Sequence, residues 1–322
     1  MVGWAKDAMS GKGWPISEPT RRWWRAWREA KGTSWFELLH GYVYVRWTYQ
    51  YIGLGIGELA WTRPWRRLIG GLVRFFPPRP AEAQGSGTFA DGYHGKVLPL
   101  ETARQLVQVR EAVHVEDLER VIPYPTARSL VLEHPDHLVA LECPCRSARL
   151  EPCLPLEVCL VVGEPFASFV LEHHPDRSRA ITADEAVQIL ETEHARGHVQ
   201  HAFFKDAMLG RFYAICNCCP CCCGAIHSTR NGTPMLASSG YVVQIDQDRC
   251  VACEECSGAC VFGALAMGPV VIEVDPSVCM GCGVCVTRCD QGALNLRLAP
   301  ERGVPLDLAA LLPQGAEAEV LG

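Results

Sequence analysis

Cysteine is the residue type in this sequence whose spacing most clearly predicts chemistry. Two stretches, Cys250–Cys260 and Cys279–Cys289, each place four cysteines in the pattern C-x2-C-x2-C-x3-C. Iron–sulfur clusters are bound by thiolates, and a cubane cluster presents four iron corners. Three closely spaced cysteines can wrap three corners with one loop, so the fourth corner must be reached from elsewhere. The pattern therefore predicts two iron–sulfur sites.

The residues that flank the two stretches repeat as well. Ile245-Asp246 precede the first stretch and Val274-Asp275 precede the second at the same offset, and a Gly-Ala-Leu triplet follows each. Each half is therefore predicted to form a strand, a cysteine loop, a short helical turn and a second strand. Residues 241–298 resemble the bacterial ferredoxins that carry two [4Fe-4S] clusters, which implies a ferredoxin-like dicluster domain.

The same resemblance implies a crossed set of ligands, in which each half supplies the fourth cysteine of the other cluster. It assigns one cluster to Cys250, Cys253, Cys256 and Cys289, and the other to Cys279, Cys282, Cys285 and Cys260. Two zinc sites are the alternative, because C-x2-C pairs also suit tetrahedral zinc. The two matching quartets favour iron–sulfur clusters.

Residues 96–240 are predicted to form a small α/β or α+β domain that is rich in cysteine, so the whole chain is placed in the α+β class. The sequence pattern predicts helices over residues 101–113 and 182–198. It predicts strands over residues 137–142, 158–162 and 210–215. A capping box at Thr182 begins the second of these helices. The segment from Glu142 to Cys223 resembles the extra cysteine domain that precedes the ferredoxin module in some uncharacterised iron–sulfur proteins of anaerobes.

Two predicted strands of this domain end in cysteines, which suggests that the two strand ends meet at one site. The candidate ligands of this third centre are Cys143, Cys145, Cys216, Cys218, Cys219 and Cys222. A third iron–sulfur cluster is the favoured occupant, with zinc or a redox dithiol as alternatives. Cys159 lies within an apolar strand and is interpreted as a buried, inert thiol.

Charged and imidazole side chains near these cysteines have two interpretations each. Arg146 follows Cys145, where it either stabilises a thiolate or a reduced cluster or lies on the surface. His194, His198 and His201 would share one helix face if the helix continued beyond Gly197, which would suit a metal or proton site. Ordinary surface or capping histidines are the favoured interpretation.

Residues 1–80 form an aromatic and basic segment that is predicted to be helical. They carry 13 Lys and Arg against 5 Asp and Glu, and all nine tryptophans lie before residue 66. Their composition is typical of the membrane–water interface, yet no apolar run reaches the ~18–20 residues of a spanning helix. Contact with a membrane surface, docking onto a partner subunit and packing on the chain's own core are the three interpretations. Nucleic acid is not expected as a partner.

The remaining segments carry no predicted chemistry. Residues 81–95 have the composition of a linker, and residues 299–322 form a tail. Arg21-Arg22 resembles a twin-arginine export signal, but the residues that follow are too charged for the apolar part of such a signal. The expected location is the cytoplasm, with peripheral contact at the inner face of the membrane as an option.

The chain as a whole is predicted to transfer single electrons, as a carrier or as the electron-transfer subunit of an oxidoreductase. It contains no Rossmann glycine fingerprint and no P-loop, which argues against nicotinamide, flavin or nucleotide chemistry. One alternative is an iron–sulfur oxidoreductase with a catalytic cluster or thiol pair in the middle domain. A redox sensor is the second alternative.

Overall fold

The chain is a mixed α+β protein in a computed structural model that describes residues 16–30, 35–56, 93–116, 121, 129–205 and 208–307. The helices are α1 (Glu18–Glu29), α2 (Trp35–Arg46), α3 (Thr48–Ile56), α4 (Leu100–Gln108), α5 (Pro144–Ser147), α6 (Phe166–His173), α7 (Ala183–Ala195), α8 (Gly224–Arg230), α9 (Glu255–Ala259) and α10 (Val284–Thr287). The strands are β1 (Tyr93–Leu98), β2 (Val113–Glu116), β3 (Ser129–Glu142), β4 (Glu157–Glu164), β5 (Ser178–Ile181), β6 (Val199–Lys205), β7 (Arg211–Cys218), β8 (Leu236–Ala237), β9 (Tyr241–Ile245), β10 (Leu265–Met267), β11 (Ile272–Val274) and β12 (Leu294–Leu298).

The first eight strands form one curled sheet, in the order β2-β3-β4-β7-β6-β1-β8 with β5 beside β3. The sheet curls around β3, which is 14 residues long. The first part of β3 pairs with β2, and the last part pairs with β4 on one side and β5 on the other. The carboxyl ends of β3 and β7 both carry cysteines, and β4 runs antiparallel between these two strands.

Both faces of the sheet are buried, because successive side chains of a strand point to opposite sides. Leu141 and Phe203 belong to the apolar core on one face, while Ala140 and Phe204 belong to the core on the other. Helices α1, α2 and α6 contribute to the first core, and α4 and α7 contribute to the second. The middle of the protein is therefore a sheet between two helical layers.

Two predicted helices end earlier than expected. Thr182 caps α7 as predicted, and its Oγ1 accepts a hydrogen bond from the backbone N–H of Glu185 at 3.2 Å. The helix ends at Ala195, since Gly197 adopts φ of +88°. Glycine adopts such a conformation without a steric penalty. The predicted helix over 101–113 is likewise shorter, because Val113 already begins β2.

The aromatic helices of the amino-terminal segment pack on the chain's own core. Trp23 is completely buried, with its ring centroid 4.9 Å from that of Phe169 and 5.7 Å from that of Phe166. Trp27, which shares its helix face, is also buried. No helix among the described residues is both long and apolar enough to cross a membrane. Most of the predicted linker and the end of the predicted tail lie outside the described residues.

Replacing Trp23 with alanine is expected to destabilise the protein by about 3–5 kcal/mol, which is typical when a large aromatic side chain is deleted from a core. The free energy of unfolding, followed by circular dichroism in urea, provides the measurement. Trp24→Ala is the matched control, because this neighbouring tryptophan is 39% exposed. Equal losses for the two variants would contradict the packing described here.

The buried carboxylate of Glu164 links helices α1 and α6 to the sheet. Its Oε1 lies 2.7 Å from His137 Nδ1 and 3.3 Å from Arg22 Nη1, and it accepts a hydrogen bond from Ser168. Burial alone would raise the pKa of this carboxyl group. The hydrogen bonds from His137 and Ser168, together with the Arg22 charge, outweigh burial and lower the pKa below 4.5.

This lowered pKa makes a pH-dependent contribution to stability. The unfolded chain binds the proton more tightly, so the contribution is present above pH 4.5 and is lost as the pH falls through the folded-state pKa. We expect the difference between the thermal midpoints of the wild type and Glu164→Gln to stay constant above pH 4.5 and to shrink as the pH falls below that value. A difference that does not shrink below pH 4.5 would show that ionisation of Glu164 contributes nothing.

The carboxy-terminal module, residues 241–298, consists of two small antiparallel sheets, β9 with β12 and β10 with β11. The two halves share equivalent contacts, since Asp246 N–H donates to Ala293 O and Asp275 N–H donates to Ala264 O, each at 2.8 Å. The module is joined to the middle of the protein by Arg288, whose Nη2 donates to the carbonyl oxygen of Ala195 at 2.7 Å. This bond places the module at the carboxyl end of α7.

Candidate iron–sulfur and thiol sites

The carboxy-terminal module contains two small cavities, each surrounded by four cysteines. The first cavity is lined by Cys250, Cys253, Cys256 and Cys289. The second cavity is lined by Cys260, Cys279, Cys282 and Cys285. These are the two crossed sets that the sequence resemblance implies. Each cavity therefore receives three thiols from its own half of the module and one from the other half.

Each cysteine loop turns around its middle cysteine through two residues in the left-handed conformation. In the first half these are Ala252 and Glu254, with φ of +55° and +63°. In the second half Gly281 and Gly283 occupy the same places, with φ of +64° and +81°. A Cβ atom on Gly281 would lie 2.2 Å from the carbonyl oxygen of Tyr241, so this position requires glycine.

The fourth cysteine of each half accepts a backbone hydrogen bond at its sulfur atom. Ala264 N–H donates to Cys260 Sγ at 3.2 Å, and Ala293 N–H donates to Cys289 Sγ at 3.3 Å. Such N–H groups stabilise negative charge on sulfur and are among the features that set the reduction potential of an iron–sulfur site. The duplication therefore extends to the environment of the ligand atoms.

The donor sets in both cavities fit iron–sulfur clusters. Four thiols surround each cavity, and thiolate is the soft ligand that such clusters take. Burial raises the pKa of the Cys282 thiol to about 12 and raises that of Cys285 as well. Thiols that are neutral without metal must release their protons when they bind it.

A third and larger cavity lies in the middle domain and is called the inner cavity below. About 80 Å³ of it is open to the centres of water molecules, several times the ~10–15 Å³ that one water requires. Seven cysteines line the inner cavity: Cys143, Cys145, Cys159, Cys216, Cys218, Cys219 and Cys223. They come from the end of β3 and α5, from β4, from the end of β7 and from the loop that leads to α8.

Several of these thiols are in direct contact. Cys159 and Cys216 face each other across the β4–β7 pair, with their Sγ atoms 3.6 Å apart. The thiols of Cys145 and Cys159 hydrogen-bond Cys143 and lower its pKa well below the ordinary cysteine value. The same bonds, together with burial, raise the pKa values of Cys145 and Cys159. Among these three cysteines, the contacts therefore favour a thiolate at Cys143, stabilised by the neutral thiols of Cys145 and Cys159.

The amino-terminal helices cover one side of the inner cavity. The cavity is lined on that side by Tyr44, Val45, Thr48 and Ile52 of α2 and α3. The hydroxyl groups of Tyr44 and Tyr213 lie 3.1 Å apart, and His174 Nε2 donates to Val45 O at 2.6 Å. The helical layer is thus fixed to the sheet by polar contacts beside the cysteines.

Arg146 lies in the interior, so its interpretation as a surface charge is wrong. It is fully buried, and its Nη2 is 2.6 Å from Glu193 Oε2 and 3.0 Å from Asn217 O. Burial opposes ionisation of Glu193, but hydrogen bonds from His198, Arg146 and Arg196 lower its pKa to about 2. The positive charge also helps to lower the pKa of Cys143.

The helix ends before His198, so the three histidines do not share a helix face. All three are buried, so the favoured interpretation as surface histidines is wrong. His194 is on α7 and its Nδ1 bonds Gln200 Oε1 at 2.8 Å. His198 follows the helix and its Nδ1 donates to Glu193 Oε2 at 2.7 Å. His201 is in β6, where burial lowers its pKa to about 3. The helix break at Gly197 separates their side chains.

A second group of cysteines, called the outer thiol group below, lies beside the inner cavity. It comprises Cys153, Cys219 and Cys221, whose Sγ atoms all lie within 4.8 Å of one another. Cys222 is adjacent, with its Sγ 3.6 Å from that of Cys221. Cys219 belongs to the outer thiol group and also lines the inner cavity.

The structure thus places five of the six predicted ligands of the third centre around the inner cavity. Cys222 does not line it, whereas Cys159 and Cys223, which were not predicted as ligands, do. Cys159 is buried as expected, but it lies among other thiols. The strand register that places it opposite Cys216 could not be read from the sequence.

The inner cavity and the module pack around a shared core. Met280 and Cys282 of the second module cavity contact the same apolar core as Cys143 and Cys223. Cys256 of the first module cavity lies close enough to Cys285 to contribute to its raised pKa. The second module cavity therefore borders the apolar core that also contains cysteines of the inner cavity, and it lies close to the first module cavity.

Comparison with known proteins identifies one part of this arrangement. The model of the 4Fe-4S binding domain family matches residues 272–295. No curated protein matches the chain. The matched segment contains four of the module's cysteines, and the match indicates at least one 4Fe-4S cluster and an electron-transfer role for this region.

Proposed function

We propose that the chain is an electron-transfer protein that holds two [4Fe-4S] clusters in its carboxy-terminal module and a third iron–sulfur cluster in the inner cavity. The observation that carries the proposal is the crossed distribution of cysteines, with Cys289 among the thiols of the first half and Cys260 among those of the second. A bound cluster of this type takes up and releases one electron.

The third cluster is supported by the thiols of the inner cavity. They are soft ligands that line one cavity, as the thiols of the module do. Leaving Cys219 to the outer thiol group, six candidate ligands remain: Cys143, Cys145, Cys159, Cys216, Cys218 and Cys223. The nearby positive charge of Arg146 suits a site that gains negative charge on reduction, because opposite charges attract strongly in a protein interior.

The contacts that connect the three cavities support a relay. Cys143 and Cys223 of the inner cavity belong to one apolar core, and Cys282 of the second module cavity packs against the same core. The first module cavity is closer to solvent, since Cys253 is exposed. We infer that electrons pass between a partner at one end and the inner cavity at the other, within a larger redox assembly.

The relay is tested by rapid reoxidation of the anaerobically reduced protein with a soluble one-electron acceptor. All three clusters are expected to be reoxidised, and Cys285→Ser should slow reoxidation of the inner cluster because it removes the module site that packs against the same core as the inner cavity. Cys222→Ser serves as the control, since this cysteine lines neither the inner cavity nor the module cavities. An unchanged rate for the inner cluster in Cys285→Ser would contradict the relay.

The surface of α2 supports docking onto a partner or onto the inner face of the cytoplasmic membrane. Trp35 and Phe36 are 73% and 75% exposed, and Leu39 is exposed beside them. Polar replacement of these three residues is expected to abolish sedimentation with anionic vesicles if the contact is with lipid. Absence of wild-type sedimentation would exclude the membrane and leave a protein partner.

An oxidoreductase with its reaction centre in the inner cavity is the second candidate function. It is favoured by the size of the cavity and by the contact between the Cys159 and Cys216 thiols. A change in the spectrum of the inner centre upon addition of a small substrate would support the enzyme. Reoxidation by protein acceptors alone supports the carrier.

A further inference from the structure

We propose that Cys153, Cys219, Cys221 and His198 form a binding site for a single Zn²⁺ ion, separate from the iron–sulfur sites. The Sγ atoms of the three cysteines all lie within 4.8 Å of one another. Thiolates bound tetrahedrally to one zinc ion are about 3.8 Å apart, because each Zn–S bond measures about 2.3 Å. The three thiols are therefore close to the spacing that one ion requires.

The short distances between its sulfur atoms distinguish this site from the cluster sites. Within the described residues, no other three cysteines have their Sγ atoms all within 4.8 Å of one another. The ligands of a cubane cluster bind different iron atoms and must stand around the whole cluster. The sulfur atoms of the outer thiol group are too close together to surround a cluster, and their distances fit a single metal ion.

We assign His198 as the fourth ligand; its ring nitrogens do not lie within 4.8 Å of all three sulfur atoms, so its imidazole must turn toward them when the ion binds. Its Nε2 lies 3.8 Å from Cys153 Sγ, and its Nδ1 donates to Glu193 Oε2 at 2.7 Å. The carboxylate holds the proton on Nδ1, to which Arg146 Nη2 is also close at 3.1 Å, and the lone pair of Nε2 is left on the side of Cys153. A carboxylate that orients the imidazole in this way is the usual support of a metal-binding histidine. Three thiolates and one imidazole form a known structural zinc set.

The site connects three separate parts of the middle domain. Cys153 precedes β4, His198 follows α7, and Cys219 and Cys221 belong to the loop that follows β7. Zinc has no redox chemistry, so its role here is structural. It would fix the loop of residues 218–223, which also carries Cys218 and Cys223 of the inner cavity. Cys221 is exposed and Cys153 is partly exposed, so the ion can reach the site from solvent.

The test measures zinc and iron together in the full-length protein, purified without oxygen and dialysed against a weak chelator. We expect about one zinc per chain, the stoichiometry of a single structural site. Cys153→Ser and Cys221→Ser should each lower zinc affinity by more than about tenfold and leave the iron content unchanged. Cys222→Ser, in the same loop, should retain both metals; loss of zinc in this variant would contradict the assignment of His198, because Cys222 Sγ lies 3.6 Å from Cys221 Sγ.

Cobalt provides a second readout that does not depend on measuring zinc content. Replacing zinc with Co²⁺ in the wild type should produce thiolate-to-cobalt charge-transfer absorption, and Cys153→Ser should weaken it. Wild-type protein without zinc, loss of iron in Cys153→Ser, or a disulfide between these cysteines would each overturn the proposal. Zinc bound to a protein that contains no iron would refute the proposed clusters and leave the zinc site intact.

Discussion

Replacing Cys256 and Cys289 together is expected to remove about four irons, and replacing Cys285 and Cys289 together is expected to remove about eight. Cys256 and Cys289 line the same cavity although 33 positions separate them, whereas Cys285 and Cys289 lie four positions apart but line different cavities. The first pair therefore damages one cluster twice, and the second pair damages both clusters.

The single variants Cys256→Ser, Cys285→Ser and Cys289→Ser provide the reference values, because mutations at one shared site are not additive. Each is expected to lose about four irons. The measurement is iron and acid-labile sulfide per chain in anaerobically purified protein. If the Cys256–Cys289 pair loses about eight irons, each half of the module holds its own cluster, and the crossed arrangement is wrong.

Replacing Arg146 with methionine is expected to lower the free energy of unfolding by about 3–5 kcal/mol. The side chain is fully buried, and its loss leaves the buried Glu193 carboxylate with only Arg196 and His198 as partners. The carbonyl oxygens of Asn217 and Pro155 lose their guanidinium donors as well. Removing one partner of a buried ion pair costs far more than an exposed ion pair contributes.

Urea unfolding under anaerobic conditions measures this effect. Arg179→Met is the matched control, because Arg179 pairs with Glu157 and Glu185 on the surface and is expected to contribute less than about 1 kcal/mol. The double variant Arg146→Met with Glu193→Leu should recover part of the lost stability, since it removes both charges. Equal stability of Arg146→Met and the wild type would show that the buried network is not essential to the fold.

The carboxy-terminal module was predictable because the sequence features that specify it are close together in the chain. The cysteine spacing and the duplicated flanks lie within short stretches, and the left-handed positions Gly281 and Gly283 are visible as glycines. The crossed partners Cys260 and Cys289 came from the resemblance to ferredoxins. The helix that Thr182 caps was likewise predictable from a four-residue pattern.

The cysteines of the inner cavity were only partly predictable, because the pairing register of distant strands brings some of them together. Cys143, Cys145, Cys216 and Cys218 could be inferred from two strand ends, but Cys159 joins them only because β4 runs between those strands. Burial of Arg146 depends on Glu193, 47 positions away in the chain. Neither hydrophobic periodicity nor cysteine spacing records such long-range contacts.

Iron and acid-labile sulfide per chain, measured together with low-temperature electron paramagnetic resonance on anaerobically purified protein, test the central claim most directly. Three [4Fe-4S] clusters predict about twelve irons and twelve sulfides, with three reducible centres. About eight irons would contradict a third cluster of this kind in the inner cavity. Zinc without iron would contradict the electron-transfer function as a whole.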